Sequence, residues 1–228
     1  MTVKTQPAVR SQLKKIFIVD DHPIVRQGLA KLLSDETDLV VCGEAESARE
    51  GLQAIAKLKP DLAIVDISLT GKTGLELIKD LRAQYPELPA LVMSMHDELI
   101  YAERALRAGA RGYVMKHQGG KILVHAIRQV LSGQVYVSEQ ISATILDRLS
   151  NGRAKLARSS VENLTEREFE VFQLIGQGLT TRQIAEQLHV SVKTVEVHRV
   201  HIKEKLHLTD GPALMRYAMS CQETQRMS

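Results

Sequence analysis

The sequence is poor in the residues that stabilise disulfide-rich or aromatic-rich proteins. Its 228 residues include no Trp, 3 Phe and 2 Cys. Cys42 and Cys221 lie far apart among small or apolar neighbours, which predicts buried free thiols and a reducing compartment. No apolar run approaches the roughly 18 residues of a membrane span, and the N-terminal segment lacks the apolar centre of a signal peptide. We therefore expect a cytoplasmic protein with no membrane partner.

Charge of one sign is also scarce. The formal net charge is +3, and both halves of the chain are close to neutral when it is divided at residue 150. Bulk charge therefore gives no evidence of nucleic-acid binding, and any such site must depend on local placement of basic residues. The length is sufficient for one sizeable core and a second, smaller one, which predicts two domains.

Short β-branched runs alternate five times with longer segments of helical period before residue 133. Such alternation predicts a parallel sheet covered by helices on both faces. The predicted strands are 16–20, 39–42, 61–65, 89–94 and 111–115, and the predicted helices are 23–34, 47–58, 74–84, 97–108 and 120–132.

The rest of the chain has only helical patterns. A helix is predicted over 139–150, followed by the polar and basic segment GRAKLARSSVEN, which is typical of an interdomain linker. Capping-box pairs at Thr165 and Thr180 predict two further helices, to about 175 and 188. A third is expected from Ser191 to Leu206 and a fourth over about 212–221. The short connections between the first three of these four match a helix-turn-helix arrangement.

Polar residues follow four of the predicted strands. Asp20 and Asp21 follow KIFIV, Asp66 follows LAIV, Ser94 follows ALVM and Lys116 follows GYVM. The carboxyl ends of parallel strands share one edge of a sheet, so these side chains should converge. Carboxylates are the ligands that Mg²⁺ prefers. Asp66 could then act as a nucleophile toward phosphorus, with Lys116 and Ser94 on the phosphoryl oxygens.

Each of these residues also has a simpler interpretation. Asp21 could cap the helix that begins at Pro23, Ser94 could be a turn hydroxyl, and Lys116 could be a solvated surface charge. The joint placement at four strand ends favours a functional site over these separate interpretations.

The third helix of the C-terminal region has two distinct sides. A helical wheel places Val192, Val195, Ile202 and Leu206 toward a small core. The opposite side contains Lys193, Glu196, Val197, Val200 and Glu204, with Lys203 at its edge. Exposed valines suit contacts with thymine methyl groups, and Glu196 suits a cytosine amino group. The alternative is an ordinary amphipathic helix.

The spacing of His198, His201 and Glu204 on this helix also admits a zinc site. These side chains fan around the helix, and the sequence has no nearby Cys or second His cluster to complete four ligands. We therefore favour a packing or backbone role for His198.

Residues 14 to 133 resemble the receiver domain of two-component response regulators, through VDDHPIVRQGL, VDISLTGKTGLEL, LVMSMH and GARGYVMKH. The resemblance implies a flavodoxin-like (βα)5 fold with strand order 2-1-3-4-5. It makes Asp66 the phosphoacceptor, Lys116 the phosphate-pairing lysine, Ser94 the switch hydroxyl and Tyr113 the switch aromatic residue. Mg²⁺ would be held by Asp21, Asp66 and the backbone carbonyl of Ser68, with Asp20 completing the acid pair. Thr70 and His117 stand where receivers often have proline.

Residues 164 to 208 resemble the LuxR-type helix-turn-helix without gaps. This implies an all-α, four-helix DNA-binding domain whose third helix is the recognition helix. By the resemblance, base contacts come from Lys193, Glu196, Val197 and Val200, and phosphate contacts from Arg199 and Lys203. Thr181 and Thr194, near helix N-termini, are further phosphate-contact candidates.

Together the two halves resemble a response regulator of the NarL/FixJ type. The expected organisation is an N-terminal tail (1–13), a receiver domain (14–137), a linker helix with a flexible linker (138–163) and a DNA-binding domain (164–223). The expected partners are a sensor histidine kinase, double-stranded DNA and a second copy of the chain in the active state. Phosphorylation is expected to pull Ser94 and Tyr113 inward and to alter the face formed by the fourth and fifth helices.

Two alternatives remain at this stage. A regulator independent of phosphorylation could use the receiver only for dimerisation, although the intact acidic site argues against it. A magnesium phosphatase working through an aspartyl phosphate would usually have an acid two residues after the nucleophile, where this chain has Ser68. We therefore do not expect an enzyme.

Overall fold

The computed structural model of the chain describes residues 13–150 and 160–226. The predicted tail up to residue 12, and residues 151–159 of the predicted linker, lie outside the described residues. No helix in these two ranges is both long and apolar enough to span a bilayer.

The N-terminal half is built on a five-stranded parallel sheet. Its strands are Lys14–Val19 (β1), Leu39–Ala45 (β2), Leu62–Val65 (β3), Ala90–Ser94 (β4) and Gly112–Met115 (β5). They lie in the order β2-β1-β3-β4-β5. The predicted fold class and strand order are therefore confirmed, and the carboxyl ends of β1, β3, β4 and β5 lie along one edge.

Five helices cover the two faces of this sheet, and their apolar stripes form the core. They are Pro23–Ser34 (α1), Ala48–Leu58 (α2), Gly74–Gln84 (α3), Glu98–Ala108 (α4) and Gly120–Leu131 (α5). The first and last pack on one face through residues such as Leu33 and Ile127. The other three pack on the opposite face through residues such as Ile55 and Ile78.

The observed strands differ from the predicted ones mainly at their ends. β1 begins at Lys14, whose N–H donates to the carbonyl of Asp38 at 2.9 Å. β2 continues to Ala45 because its last residues pair with β1 beyond a register shift between Ile16 and Phe17. The apolar pattern did not predict this continuation because Glu44 is polar.

Two glycines hold the backbone where other residues would not fit. Gly109 ends α4 with a φ of 118°, a left-handed conformation that favours glycine. A Cβ on Gly74 would lie 1.8 Å from the carbonyl oxygen of Asp66. The start of α3 can therefore approach the end of β3 only with glycine at this position.

The elements that follow α5 are helical. They are Glu139–Ser150 (α6), a short 3-10 helix at Ser160–Asn163, Glu166–Gly176 (α7), Thr181–Gln187 (α8), Val192–Leu206 (α9) and Gly211–Arg226 (α10). Both predicted capping boxes are present, at Thr165 with Glu168 and at Thr180 with Gln183.

The inward stripe of α9 is only partly as predicted. Val195, Ile202 and Leu206 are buried, but the side chain of Val192 is 42% exposed. Val192 is the first residue of the helix, and helical side chains point toward the N-terminus. Its side chain therefore extends past the end of the helix and away from the small core.

Candidate functional site

An acidic crevice lies at the shared edge of the strands. Asp20 and Asp66 are 2% and 3% exposed. Lys116, which follows β5, places its Nζ 2.7 Å from Asp20 Oδ2 and 2.8 Å from Asp66 Oδ2. The structure therefore brings together three of the predicted site residues from three different strands.

Two buried oxygens in the crevice lack hydrogen-bond partners. They are Asp21 Oδ1 and Asp66 Oδ1. Both oxygens of Asp20 are engaged, since Oδ1 accepts the backbone N–H of His22 at 2.9 Å and Oδ2 pairs with Lys116. Burying an unpaired carboxylate oxygen is costly, and a divalent cation would remove that cost. The donor set therefore fits Mg²⁺ at Asp21 and Asp66.

The charges in the crevice oppose one another. Burial raises the pKa of the Asp66 carboxyl above its usual value, although the positive charge of Lys116 acts in the opposite direction. Burial alone would lower the pKa of Lys116, but Asp66 and Asp20 together raise it. Lys116 therefore stays charged at neutral pH and counters part of the carboxylate charge.

Asp21 does not cap the following helix. The N-cap of α1 is His22, and no side chain caps that position. Asp21 Oδ2 instead accepts a hydrogen bond from Thr70 Oγ1 at 3.2 Å. Its other oxygen, Oδ1, accepts no hydrogen bond and lies 2.7 Å from His22 Nδ1. The simpler interpretation of Asp21 as a helix cap is therefore wrong.

Ser94 and Tyr113 lie behind the crevice. The Tyr113 side chain is fully buried, and its hydroxyl donates to the carbonyl of His96 at 2.8 Å. Burial raises the pKa of this phenol above its ordinary value. The ring already lies inside the domain in this structure, and a movement of Tyr113 on phosphorylation stays a prediction.

His96 connects the crevice with α4 and was not predicted from the sequence. Its backbone N–H donates to Ser94 Oγ at 3.2 Å, and its Nε2 lies 2.7 Å from Ser68 Oγ. The imidazole stacks on Tyr101 with ring centroids 4.5 Å apart. Its position two residues after Ser94, in the loop that follows β4, is the signal that could have identified it. The metal role of the Ser68 carbonyl stays a prediction.

The α4 helix contacts the C-terminal half of the chain through aromatic and cationic groups. Tyr101 meets Phe169 of α7 edge-on, with centroids 5.3 Å apart. The Arg104 guanidinium lies 4.0 Å from the centre of the Phe169 ring, a cation–π geometry. The strand-end site is thus joined to α7 by continuous contacts through His96, Tyr101 and Phe169.

Glu166 strengthens the same contact. Its carboxylate accepts from Lys79 Nζ of α3 at 2.9 Å and from Arg104 Nε at 3.0 Å. Arg104 also donates to the carbonyl of Leu164 at 2.9 Å. One carboxylate at the start of α7 therefore binds two helices of the N-terminal half. We call the contacts of Lys79, Tyr101, Arg104, Glu166 and Phe169 the α4–α7 interface.

The predicted reading face of α9 is open. The side chains of Val197 and Val200 are 44% and 46% exposed, and Lys193 and Glu196 are exposed as well. Arg199 and Lys203 are half-buried. Thr194 Oγ1 lies 2.7 Å from Ser191 Oγ at the N-cap, and Thr181 is the first residue of α8. Their roles in DNA binding stay predictions.

Two other polar residues of α9 have structural contacts. Lys205 Nζ lies 2.6 Å and His201 Nδ1 lies 3.8 Å from the buried Glu168 carboxylate of α7. Burial lowers the pKa of His198. Within the described ranges, the one group of carboxylates and imidazoles spaced for a metal lies in the acidic crevice, away from α9.

Comparison with known proteins identifies both halves. Residues 16–128 match the family described as "Response regulator receiver domain", and residues 162–218 match "Bacterial regulatory proteins, luxR family". The "Oxygen regulatory protein NreC" of Staphylococcus aureus is 36% identical over 209 residues, which cover 90% of this chain and 96% of that protein.

Solved structures give the same assignment. An RcsB response regulator of Salmonella typhimurium has a TM-score of 0.62 and 27% identity, over 92% of this chain and 98% of that one. RcsB bound to the promoter rprA in the presence of the phosphomimetic BeF3- has a TM-score of 0.58 and 26% identity, over 91% and 99%. This chain therefore belongs to the response regulators that combine a receiver domain with a LuxR-type DNA-binding domain.

Proposed function

We propose that this protein acts in the cytoplasm, where Asp66 accepts a phosphoryl group from a sensor histidine kinase and thereby controls sequence-specific DNA binding by the C-terminal domain. The unpartnered Asp66 Oδ1 carries this proposal, because it is a buried carboxylate oxygen in the acidic crevice with no competing hydrogen bond. In the transfer, this oxygen would form a bond to phosphorus while the P–N bond of the phosphohistidine breaks and the imidazole leaves with a proton.

The neighbouring side chains suit the charge that the transfer brings. Lys116 Nζ donates to Asp66 Oδ2 at 2.8 Å and leaves Oδ1 without a partner. The same ammonium and the Ser94 hydroxyl are candidates to pair with phosphoryl oxygens. Asp21, Asp66 and the carbonyl of Ser68 would hold Mg²⁺, which supplies positive charge next to the phosphoryl oxygens when bound.

The α4–α7 interface provides a route from the crevice to the DNA-binding domain. A phosphoryl group adds about 1.5 to 2 negative charges, and attraction of the Ser94 hydroxyl toward it would break the hydrogen bond from His96 N–H. Since His96 stacks on Tyr101, a shift there reaches Phe169 and Arg104. Release of α7 would free two copies of the chain to place their α9 helices on half-sites one DNA turn apart.

Radiolabelled acetyl phosphate with Mg²⁺ tests the phosphoacceptor directly. The wild-type protein should become labelled, Asp66→Asn should not, and Asp35→Asn, an exposed carboxylate at the end of α1, should label normally. A gel-shift series with the same three proteins should show stronger DNA binding after acetyl phosphate treatment only when Asp66 is intact. Unlabelled wild-type protein that still binds DNA would instead support the regulator that is independent of phosphorylation.

A further inference from the structure

The His22 imidazole lies beside the carboxylates of the acidic crevice. His22 Nδ1 lies 2.7 Å from Asp21 Oδ1 and 3.4 Å from Asp20 Oδ1. Ligand atoms of Asp20, Asp21, His22 and Asp66 all lie within 4.8 Å of one another. The ligand set implied by the resemblance to receiver domains contains only oxygen donors. A nitrogen donor from His22 would be an addition to that set.

We propose that His22 is a direct metal ligand of this site and shifts its preference from Mg²⁺ toward first-row transition dications such as Mn²⁺. This rests on the metal site of the proposed function. Asp66 Oδ1 is an independent indication that a cation binds here. This oxygen has no hydrogen-bond partner, although the Asp66 side chain is only 3% exposed.

The distances match a pair of neighbouring ligands. Metal–ligand distances of about 2.1 Å in an octahedral site place adjacent donor atoms about 3 Å apart. The 2.7 Å between His22 Nδ1 and Asp21 Oδ1 is close to this value. Without a bound cation the same contact is an ion pair whenever the imidazole is protonated.

The chemistry of imidazole explains the shift in preference. Mg²⁺ is a hard cation that prefers oxygen donors and keeps several waters. Nitrogen donors bind first-row transition dications better, with affinity rising along the series from Mn²⁺. One imidazole among carboxylates would therefore leave Mg²⁺ binding almost unchanged and strengthen the binding of Mn²⁺.

The variant His22→Ala isolates this effect with little risk to folding. The His22 side chain is 65% exposed and makes no capping hydrogen bond to α1. His117→Ala is the matched control, since His117 is also exposed and directly follows Lys116. The full chain can be titrated with Mn²⁺, following the free ion by electron paramagnetic resonance, and Mg²⁺ affinity can be measured by competition.

We expect His22→Ala to raise the Kd for Mn²⁺ at least tenfold and the Kd for Mg²⁺ less than twofold, while His117→Ala changes neither. Electron spin-echo spectra of bound Mn²⁺ should show coupling to a ¹⁴N nucleus that disappears in His22→Ala. Equal Mn²⁺ affinity and spectra in His22→Ala and the wild type would overturn the role of His22, with the oxygen site and the phosphorylation of Asp66 untouched. A wild-type protein that binds neither ion would overturn both this inference and the Mg²⁺ site.

Discussion

At the scale of single residues, the buried carboxyl of Glu170 stands out in the DNA-binding half. It is 3% exposed on α7, and Arg167 Nη1 donates to its Oε2 at 2.7 Å. Burial raises its pKa to about 7, with Glu166 and Glu76 adding to the shift and Arg167 opposing it. The folded protein therefore retains a proton on Glu170 that the unfolded chain releases above its ordinary pKa of 4.5.

The sign of this linkage sets a pH dependence for stability. The stability that protonated Glu170 contributes is fully present below pH 4.5 and is lost as the pH rises to about 7. The total loss over this range is about 3 kcal/mol. Glu170→Gln imitates the protonated form, so the free energy of unfolding should fall less for this variant than for the wild type between pH 5 and pH 7.5. Urea unfolding at the two pH values measures the difference.

Glu186→Gln is the matched control for Glu170→Gln, because the Glu186 side chain is 68% exposed on α8. It should keep the wild-type pH dependence. If Glu170→Gln lost as much stability as the wild type over the same range, the proton on Glu170 would not be the cause.

At the scale of elements, the sequence predicted helices better than the details of the site. The bounds of α1 and α3 follow from Pro23 and from Gly74 after Thr73, which are local signals for a helix start. The convergence of Asp66 and Lys116 followed from the rule for parallel strands. The 3-10 helix at Lys116–Gln118 had no such signal. The contacts of His96 depend on the conformation of a loop, which hydrophobic periodicity does not predict.

The reading face of α9 leads to a prediction about two kinds of DNA contact. Lys203→Ala should weaken binding to all sequences similarly and reduce the slope of log K against log salt by about one, because one phosphate contact is lost. Glu196→Ala should instead change the preferred bases and leave the salt slope unchanged. Gel shifts across a salt series, with specific and random DNA, distinguish the two effects.

Lys57→Ala is the control for Lys203→Ala, since Lys57 is an exposed lysine on α2 of the receiver. It should leave both affinity and salt slope unchanged. Equal losses for Lys203→Ala and Lys57→Ala would show that overall charge, and no contact from α9, sets the affinity.

At the scale of the whole molecule, the α4–α7 interface ties the two domains together while the reading face of α9 stays open. The receiver does not cover Val197 and Val200. This contact would therefore inhibit DNA binding by fixing the position of the DNA-binding domain, and not by blocking the reading face. Moving an equilibrium between tied and released forms from 1:99 to 99:1 needs about 5.5 kcal/mol. A few strong contacts such as those of Arg104 would supply a large part of that free energy.

Arg104→Ala should release the domains without phosphorylation. It removes the cation–π contact with Phe169, an ion pair with Glu166 and a hydrogen bond to Leu164. Together these contribute about 2 kcal/mol, which raises the released population about thirtyfold. Small-angle X-ray scattering should show a larger radius of gyration, and DNA affinity should rise in the absence of a phosphodonor. Lys31→Ala, which breaks an exposed ion pair with Asp35 on α1, should change neither.

A double-mutant cycle can assign this effect to the contact between Arg104 and Glu166. Glu166→Ala should also release the domains, since it removes the partner of both Arg104 and Lys79. Adding Arg104→Ala to Glu166→Ala should then change the radius of gyration and the DNA affinity less than Arg104→Ala does in the wild type. The effects of two substitutions are not additive when the two residues share an ion pair. Additive changes in the radius of gyration and in DNA affinity would mean that the two side chains act separately. In that case the packing of Phe169 against Tyr101 would be the main restraint between the domains.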